Sequence, residues 1–321
     1  MNDPDIRIFE FLQKQLQHNG HAWLCTVVRT YGSSPRPPGS MMVCASEGAL
    51  CGSLSGGCVE DDLVGRLLDP GDKFRGTPIL TTYGETKEEG ERFGLPCGGR
   101  LDVVVEHIEH DKANLTDQVL SSLRQRKGVL REVDLKSGKW ALNITNEFSE
   151  PRLENQVFSQ VHGAEFRLVL IGIGALAESL AEMALTLGYE VIACDPRAER
   201  VAQWDVDGTT ALQGMPDDLV RKLAIDERSI VLTLSHDPRI DDMALMEALL
   251  SPAIYVGALG SVRTAAKRRE RLNALDIPPE AIDRLHAPVG LAIGAKTPAE
   301  IAIAILAELT QMRRALRVTK L

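Results

Sequence analysis

The stretch that most narrows the fold of this chain begins at Arg167. Arg167-Leu-Val-Leu-Ile171 is a short apolar run of strand type, Gly172-Ile-Gly174-Ala-Leu-Ala177 follows at once, and the residues from there to 187 read as a helix. Gly188-Tyr-Glu then leads into Val191-Ile-Ala-Cys194 and an acid, Asp195. Strand, glycine turn, helix, strand and acid in that order define a βαβ unit of the dinucleotide-binding type. Gly172 and Gly174 permit the tight turn and let a pyrophosphate approach the backbone. Ala177 permits close helix–strand packing, and Asp195 stands where a ribose hydroxyl would be bound. The alternation continues with a strand at 230–234, a helix at 240–250 and a strand at 254–257. A Rossmann-like, doubly wound parallel sheet is therefore expected over residues 166–321.

Two further helix starts lie in this half. Gly257-Ala-Leu-Gly260-Ser261 runs into a basic helix, so Gly260 and Ser261, with Arg263 in the first turn, form a second candidate phosphate turn. Arg268, Arg269 and Arg271 of the same helix are expected on a solvated face. Thr297-Pro-Ala-Glu300 is a capping box with Pro at the first helical position.

The first half is patterned differently. A helix at 6–16, strands at 23–30, 41–45, 49–54, 78–83 and 101–106, a helix at 115–126 and a hairpin around Ser137-Gly138 make it α/β. Tyr31-Gly-Ser-Ser-Pro-Arg-Pro-Pro-Gly-Ser40 forbids regular structure. It is either a plain connector or a stiff loop that presents Ser34 and Arg36 to an anion. Gly52-Ser-Leu-Ser-Gly-Gly-Cys58 then opens a helix whose apolar residues are Val59, Leu63, Val64, Leu67 and Leu68. The unpaired N–H groups of a helix start, with Gly56 and Gly57 uncovered beside them, suit an anion. The same field favours a thiolate over a thiol. Cys58 is thus either a reactive thiol or a packed structural one. Cys97 sits in a second glycine turn, Gly94-Leu-Pro-Cys-Gly98-Gly99, and spacing leaves open whether the two cysteines meet. Residues 146–165 are polar and weakly patterned, which places a linker there and the first domain at 1–145.

With 321 residues and 44% hydrophobic content the chain can form two ordinary globular domains. A net charge of −9 argues against a nucleic-acid partner. No apolar run reaches membrane-spanning length, and the acidic start Met-Asn-Asp-Pro-Asp carries no secretory pattern, so a cytoplasmic protein is expected. None of the six cysteines forms a Cys-x-x-Cys pair, which argues against a zinc ribbon.

These motifs together resemble the XdhC/CoxI family of molybdenum-hydroxylase maturation proteins. The resemblance rests on Gly32-Ser-Ser-Pro-Arg36, Gly52-Ser-Leu-Ser-Gly-Gly-Cys-Val-Glu60 and Cys97-Gly-Gly99 in the first half. In the second it rests on the Gly172 turn, His236-Asp-Pro238 with Asp241-Asp242, Gly257-Ala-Leu-Gly-Ser-Val-Arg263 and the run Pro288 to Pro298. It implies an N-terminal XdhC/CoxI-type α/β domain before the Rossmann-like one. It implies a non-redox chaperone that binds molybdenum cofactor, as the molybdopterin mononucleotide or the cytosine dinucleotide, and delivers it to a xanthine-dehydrogenase-like or CO-dehydrogenase-like apo-enzyme. Ser55, Glu60, Gly98 and Gly99 then join the cofactor-binding residues, and Cys58 and Cys97 become candidate molybdenum ligands. The resemblance leaves room for a cysteine desulfurase partner and for a homodimer. The competing reading is an NAD(P)-dependent oxidoreductase. For that role His236, beside Asp237, is the best proton donor the sequence offers.

Overall fold

A computed structural model describes residues 4–31, 36–71, 73–93, 99–147, 149–163, 166–235 and 237–318. The chain forms two compact units, residues 2–164 and 165–315. Among the described residues no helix is long and apolar enough to cross a membrane.

The first unit runs α1 (Pro4–Asn19), β1 (His21–Tyr31), β2 (Met41–Ala45), β3 (Leu50–Gly52), α2 (Cys58–Leu68), β4 (Ile79–Tyr83), α3 (Lys87–Arg92), β5 (Arg100–Glu109), α4 (Ala113–Arg124), β6 (Gly128–Asp134), β7 (Trp140–Thr145), β8 (Arg152–Glu154) and β9 (Val157–His162). Its main sheet is antiparallel, in the order β3-β2-β1-β5-β4. The two-residue period of β1 sends alternate side chains to opposite faces. Trp23, Cys25 and Val27 pack with Leu63 and Leu67 of α2, whereas Ala22 and Leu24 pack with Phe9 and Leu12 of α1 and Leu120 of α4. The central strand is therefore buried on both faces and reads as a continuous apolar run. A second sheet, β7-β6-β9-β8, adds Val133, Leu135 and Phe158 to Val28 and Val104 of the first.

The structure corrects the linker. Residues 146–165 hold β8 and β9, and β9 pairs on both sides, with β6 and with β8. The reason it is hard to read is that its buried face is Phe158, Gln160 and His162, two of them polar. Most of their polarity is matched internally: Gln160 Nε2 donates to Gly39 O at 3.1 Å, and His162 bonds Arg131 and Asp5. The polar run 84–91 likewise hides α3, whose start is marked by Thr86 Oγ1 accepting from Glu89 N–H at 3.2 Å.

The second unit runs β10 (Phe166–Ile171), α5 (Ala175–Thr186), β11 (Tyr189–Asp195), α6 (Ala198–Ala202), β12 (Thr210–Gln213), α7 (Pro216–Lys222), β13 (Ser229–Thr233), α8 (Pro238–Leu250), β14 (Tyr255–Ala258), α9 (Val262–Ala274), α10 (Pro279–Ile282), β15 (Leu285–His286) and α11 (Pro298–Val318). All strands are parallel, in the order β12-β11-β10-β13-β14-β15. That is the doubly wound order, with its reversal between β10 and β13, and ligands of such sheets lie at that reversal beyond the strands' carboxyl ends. Thr297 and Glu300 cap α11 reciprocally, as the sequence pattern predicts.

Arg268, Arg269 and Arg271 of α9 do not form a solvated face. Arg268 is buried, donating to Asp241 Oδ2 at 2.6 Å and to Leu259 O at 3.0 Å. Arg271 forks onto Asp242, and Arg269 donates to Leu285 O and Ala287 O. Their partners sit on α8 and around β15, elements that a helix read by itself does not reveal. Burial raises the Asp241 carboxyl to about 6 against the pull of Ser235 and Arg268.

Candidate functional site

In the first unit the candidate site is the turn between β3 and α2. Gly56 has φ +91°, a conformation that favours glycine, and it leads through an extended Gly57 to Cys58 at the start of α2. The geometry of this turn is set by Glu60. One of its carboxylate oxygens accepts from Leu54 N–H at 2.9 Å, Ser55 N–H at 2.8 Å, Gly56 N–H at 2.7 Å and Ser53 Oγ at 2.8 Å. The other accepts from Gly57 N–H at 3.0 Å and Ser55 Oγ at 2.5 Å. Burial works against ionisation, but the bonds from Ser55, Gly56 and Gly57 outweigh it and hold this carboxyl far below the usual range.

This alters the anion site expected from Gly56 and Gly57. The backbone cradle exists, and the chain's own carboxylate fills it. Glu60 and Ser55 brace the turn, and the group the turn presents is Cys58, which is exposed. Cys25, Cys44 and Cys194 are buried, and burial pushes their thiols up, Cys44 to about 11 and Cys194 to about 12. Cys51 is half-buried and also raised by burial. Arg36 is exposed, and Gly99 is buried at the start of β5. Ser34, Cys97, Gly98 and His236 lie outside the described residues. Among the described residues no three His, Cys, Asp or Glu are grouped to hold a metal ion.

In the second unit Gly172 has φ +103°, and a Cβ there would lie 2.8 Å from Ser235 N. This close approach joins the β10 turn to the segment after β13. Gly174 is extended, and a Cβ there would meet nothing within 4 Å, so its surroundings are open. Gly172→Ala is expected to lower stability by about 1–3 kcal/mol from overpacking alone, with left-handed strain added. Gly174→Ala should stay within about 1 kcal/mol of the parent, the range of a helix-cap change. Chemical denaturation of the two variants checks this, and equal losses would contradict it.

Ala177 is buried where α5 meets the sheet. Ser261 caps α9, its hydroxyl accepting from Thr264 N–H at 3.2 Å, and Gly260 and Arg263 are exposed beside it. Asp195 departs from the sequence expectation. Its carboxylate is buried and accepts from Ile173 N–H at 2.8 Å, from Arg197 N–H at 2.9 Å, and from Arg197 Nε and Nη2 at 2.8 and 2.7 Å. Both oxygens are engaged, and a ribose hydroxyl would have to displace one of these partners. Arg197, two residues beyond the motif's acid, is the residue the sequence reading missed.

A Rossmann unit and a separate α/β unit that presents a cysteine on a glycine turn define the class. Residues 168–309 match the XdhC Rossmann domain, and residues 15–83 match the XdhC and CoxI family. The chain belongs to the XdhC and CoxI family. It is 28% identical over 314 residues to the molybdenum cofactor insertion chaperone PaoD of Escherichia coli, covering 98% of this chain and 90% of that one. It is 27% identical over 328 residues to a probable xanthine dehydrogenase subunit of Bacillus subtilis, covering 94% and 96%. A crystal structure from Bacillus halodurans, described as a xanthine dehydrogenase, superposes with a TM-score of 0.77 at 26% identity over 99% of this chain and 98% of that one.

Proposed function

We propose that this protein binds molybdenum cofactor and inserts it into the apo-form of a molybdenum hydroxylase of the xanthine-dehydrogenase or CO-dehydrogenase type. The observation that carries the reading is Cys58, an exposed thiol at the start of α2 on a turn held by six hydrogen bonds to Glu60. A soft thiolate suits molybdenum, and a braced turn presents it without loss of order on binding. Arg36, exposed on the same unit, is the candidate donor to the cofactor's anionic phosphate, and Cys97 is the candidate second sulfur. The relatives named for cofactor insertion and for xanthine dehydrogenase support the same role. Cargo of this kind is held and released, so the residues have to bind and orient it and need not turn it over.

The test is molybdenum retention. Protein purified from a molybdate-fed host is assayed by mass spectrometry for metal and pterin, alongside Cys58→Ser. Retention by the parent and at least a tenfold loss in the variant are expected, about 1.4 kcal/mol of binding. Cys58 should also take up iodoacetamide before Cys25, Cys44 and Cys194, and bound cofactor should protect it. Unchanged retention and client activation by Cys58→Ser would mean that the thiol is not the ligand.

A further inference from the structure

The Rossmann crevice of this protein does not fit the ligand its fold implies. In a dinucleotide-binding sheet the acid ending the second strand accepts hydrogen bonds from a ribose diol. Here Asp195 holds that position, and Arg197 covers it. The guanidinium meets the carboxylate edge-on through Nε and Nη2. A fork of that geometry leaves Nη1 on its outer side. The Asp195 side chain is 0% exposed and that of Arg197 is 47% exposed, so the guanidinium is what this end of the crevice offers to a ligand.

The charges around the pair matter. Asp195 is matched by Arg197. Asp237, which acts on Arg197 from the loop after β13, is matched by Arg239, whose Nε and Nη2 donate to it at 3.1 and 2.9 Å. Glu199 is the acid in Arg197's surroundings against which an incoming anion has to compete. A neutral diol can accept from the guanidinium only without charge assistance, and it has no free acceptor on Asp195. A phosphate gains a charge-assisted donor.

We infer that the β11 end of the crevice receives a phosphate monoester on Arg197 and turns away a ribose cis-diol at Asp195. This deepens the cofactor-handling reading and rests on it only in assuming that the crevice takes part of a phosphorylated ligand. It makes Arg197 the residue that determines specificity there. A ligand ending in a phosphate is favoured over one that continues into an unphosphorylated nucleoside.

NADP+ and NAD+ are suitable reporters, because they differ only by the 2′-phosphate that would lie at this position. Isothermal titration of the full chain is expected to show NADP+ binding about tenfold to hundredfold more tightly, the usual worth of one hydrogen bond to a charged group. Arg197→Ala should bring the two to parity by weakening NADP+ and freeing Asp195 for NAD+. Asp195→Asn, which loosens Arg197 from its partner, should widen the preference and serves if the first variant misfolds. Equal affinity in the parent, tighter NAD+, no binding of either, or a preference that survives Arg197→Ala would each overturn the inference. Because these reporters contain no molybdenum, a negative result with molybdenum still retained by the parent removes the subsite and leaves the insertion role standing.

Discussion

Arg131→Ala should lower the stability of the first unit by about 3–5 kcal/mol, the usual result of stripping one partner from a buried ion pair. Arg131 lies on β6 with its side chain 0% exposed, and Nη1 donates to Glu106 Oε1 of β5 at 2.7 Å. Glu106 Oε2 accepts from Trp140 Nε1 of β7 at 2.8 Å, and the Trp140 ring lies 4.6 Å from the guanidinium carbon. Arg131 Nε is 3.2 Å from His162 Nε2. Since the guanidinium can only donate, Nε2 accepts and the imidazole proton sits on Nδ1, which donates to Asp5 Oδ2 at 3.2 Å. Burial, opposed by Asp5, keeps His162 below the ordinary imidazole range and so in this neutral form. One buried cation thus ties the second sheet to the first. Truncating it leaves the Glu106 carboxylate in the core with one donor. At about 2–4 °C per kcal/mol for a unit of this size, the melting temperature should fall by on the order of 10 °C. The double variant Arg131→Met/Glu106→Gln removes the stranded charge and should recover much of the loss. If the double variant melts no higher than the single one, packing and not charge accounts for the effect.

The same network shows where the sequence stops being readable. The Rossmann sheet is legible because parallel strands are buried on both faces and appear as apolar runs. Its glycine turn is legible because Gly172 meets a steric demand that only glycine satisfies. β9 is not, because its inward positions include Gln160 and His162, whose partners Gly39, Arg131 and Asp5 are remote in sequence. The α9 arginines fail for the same reason, the acids matching Arg268 and Arg271 lying on α8 and the carbonyls that hold Arg269 lying around β15. At the candidate site the start of α2 and the placement of Cys58 are legible from the turn and the apolar spacing. The fate of the backbone cradle was legible in principle. A glutamate at the third helical position signals a carboxylate reaching back over the helix start. The closure of Asp195 by Arg197 follows only from side-chain geometry.

Glu60→Gln is the variant in which stability and the candidate site should weaken together. The carboxylate accepts from four backbone N–H groups and two hydroxyls, so the amide that replaces it turns an N–H₂ toward donors. Ser55 Oγ can rotate to accept from it, but Gly57 N–H cannot. A loss of at least about 1.5–3 kcal/mol is expected at neutral pH, the worth of one hydrogen bond to a charged group. The pH dependence gives a sharper signature. The carboxyl is held far below its unfolded value, so the folded state binds fewer protons than the unfolded one as the solution is acidified. Its stabilisation is whole above the unfolded value of about 4.3 and drains away as the pH falls below it. The parent should therefore lose more stability than Glu60→Gln between about pH 5 and pH 3, and the two melting curves should converge toward the acid limit. At neutral pH the variant's loosened turn should change the rate at which Cys58 takes up iodoacetamide while the rest of the first unit stays folded by circular dichroism. A variant with the parent's acid slope and the parent's Cys58 labelling would mean that the carboxylate does not organise the turn.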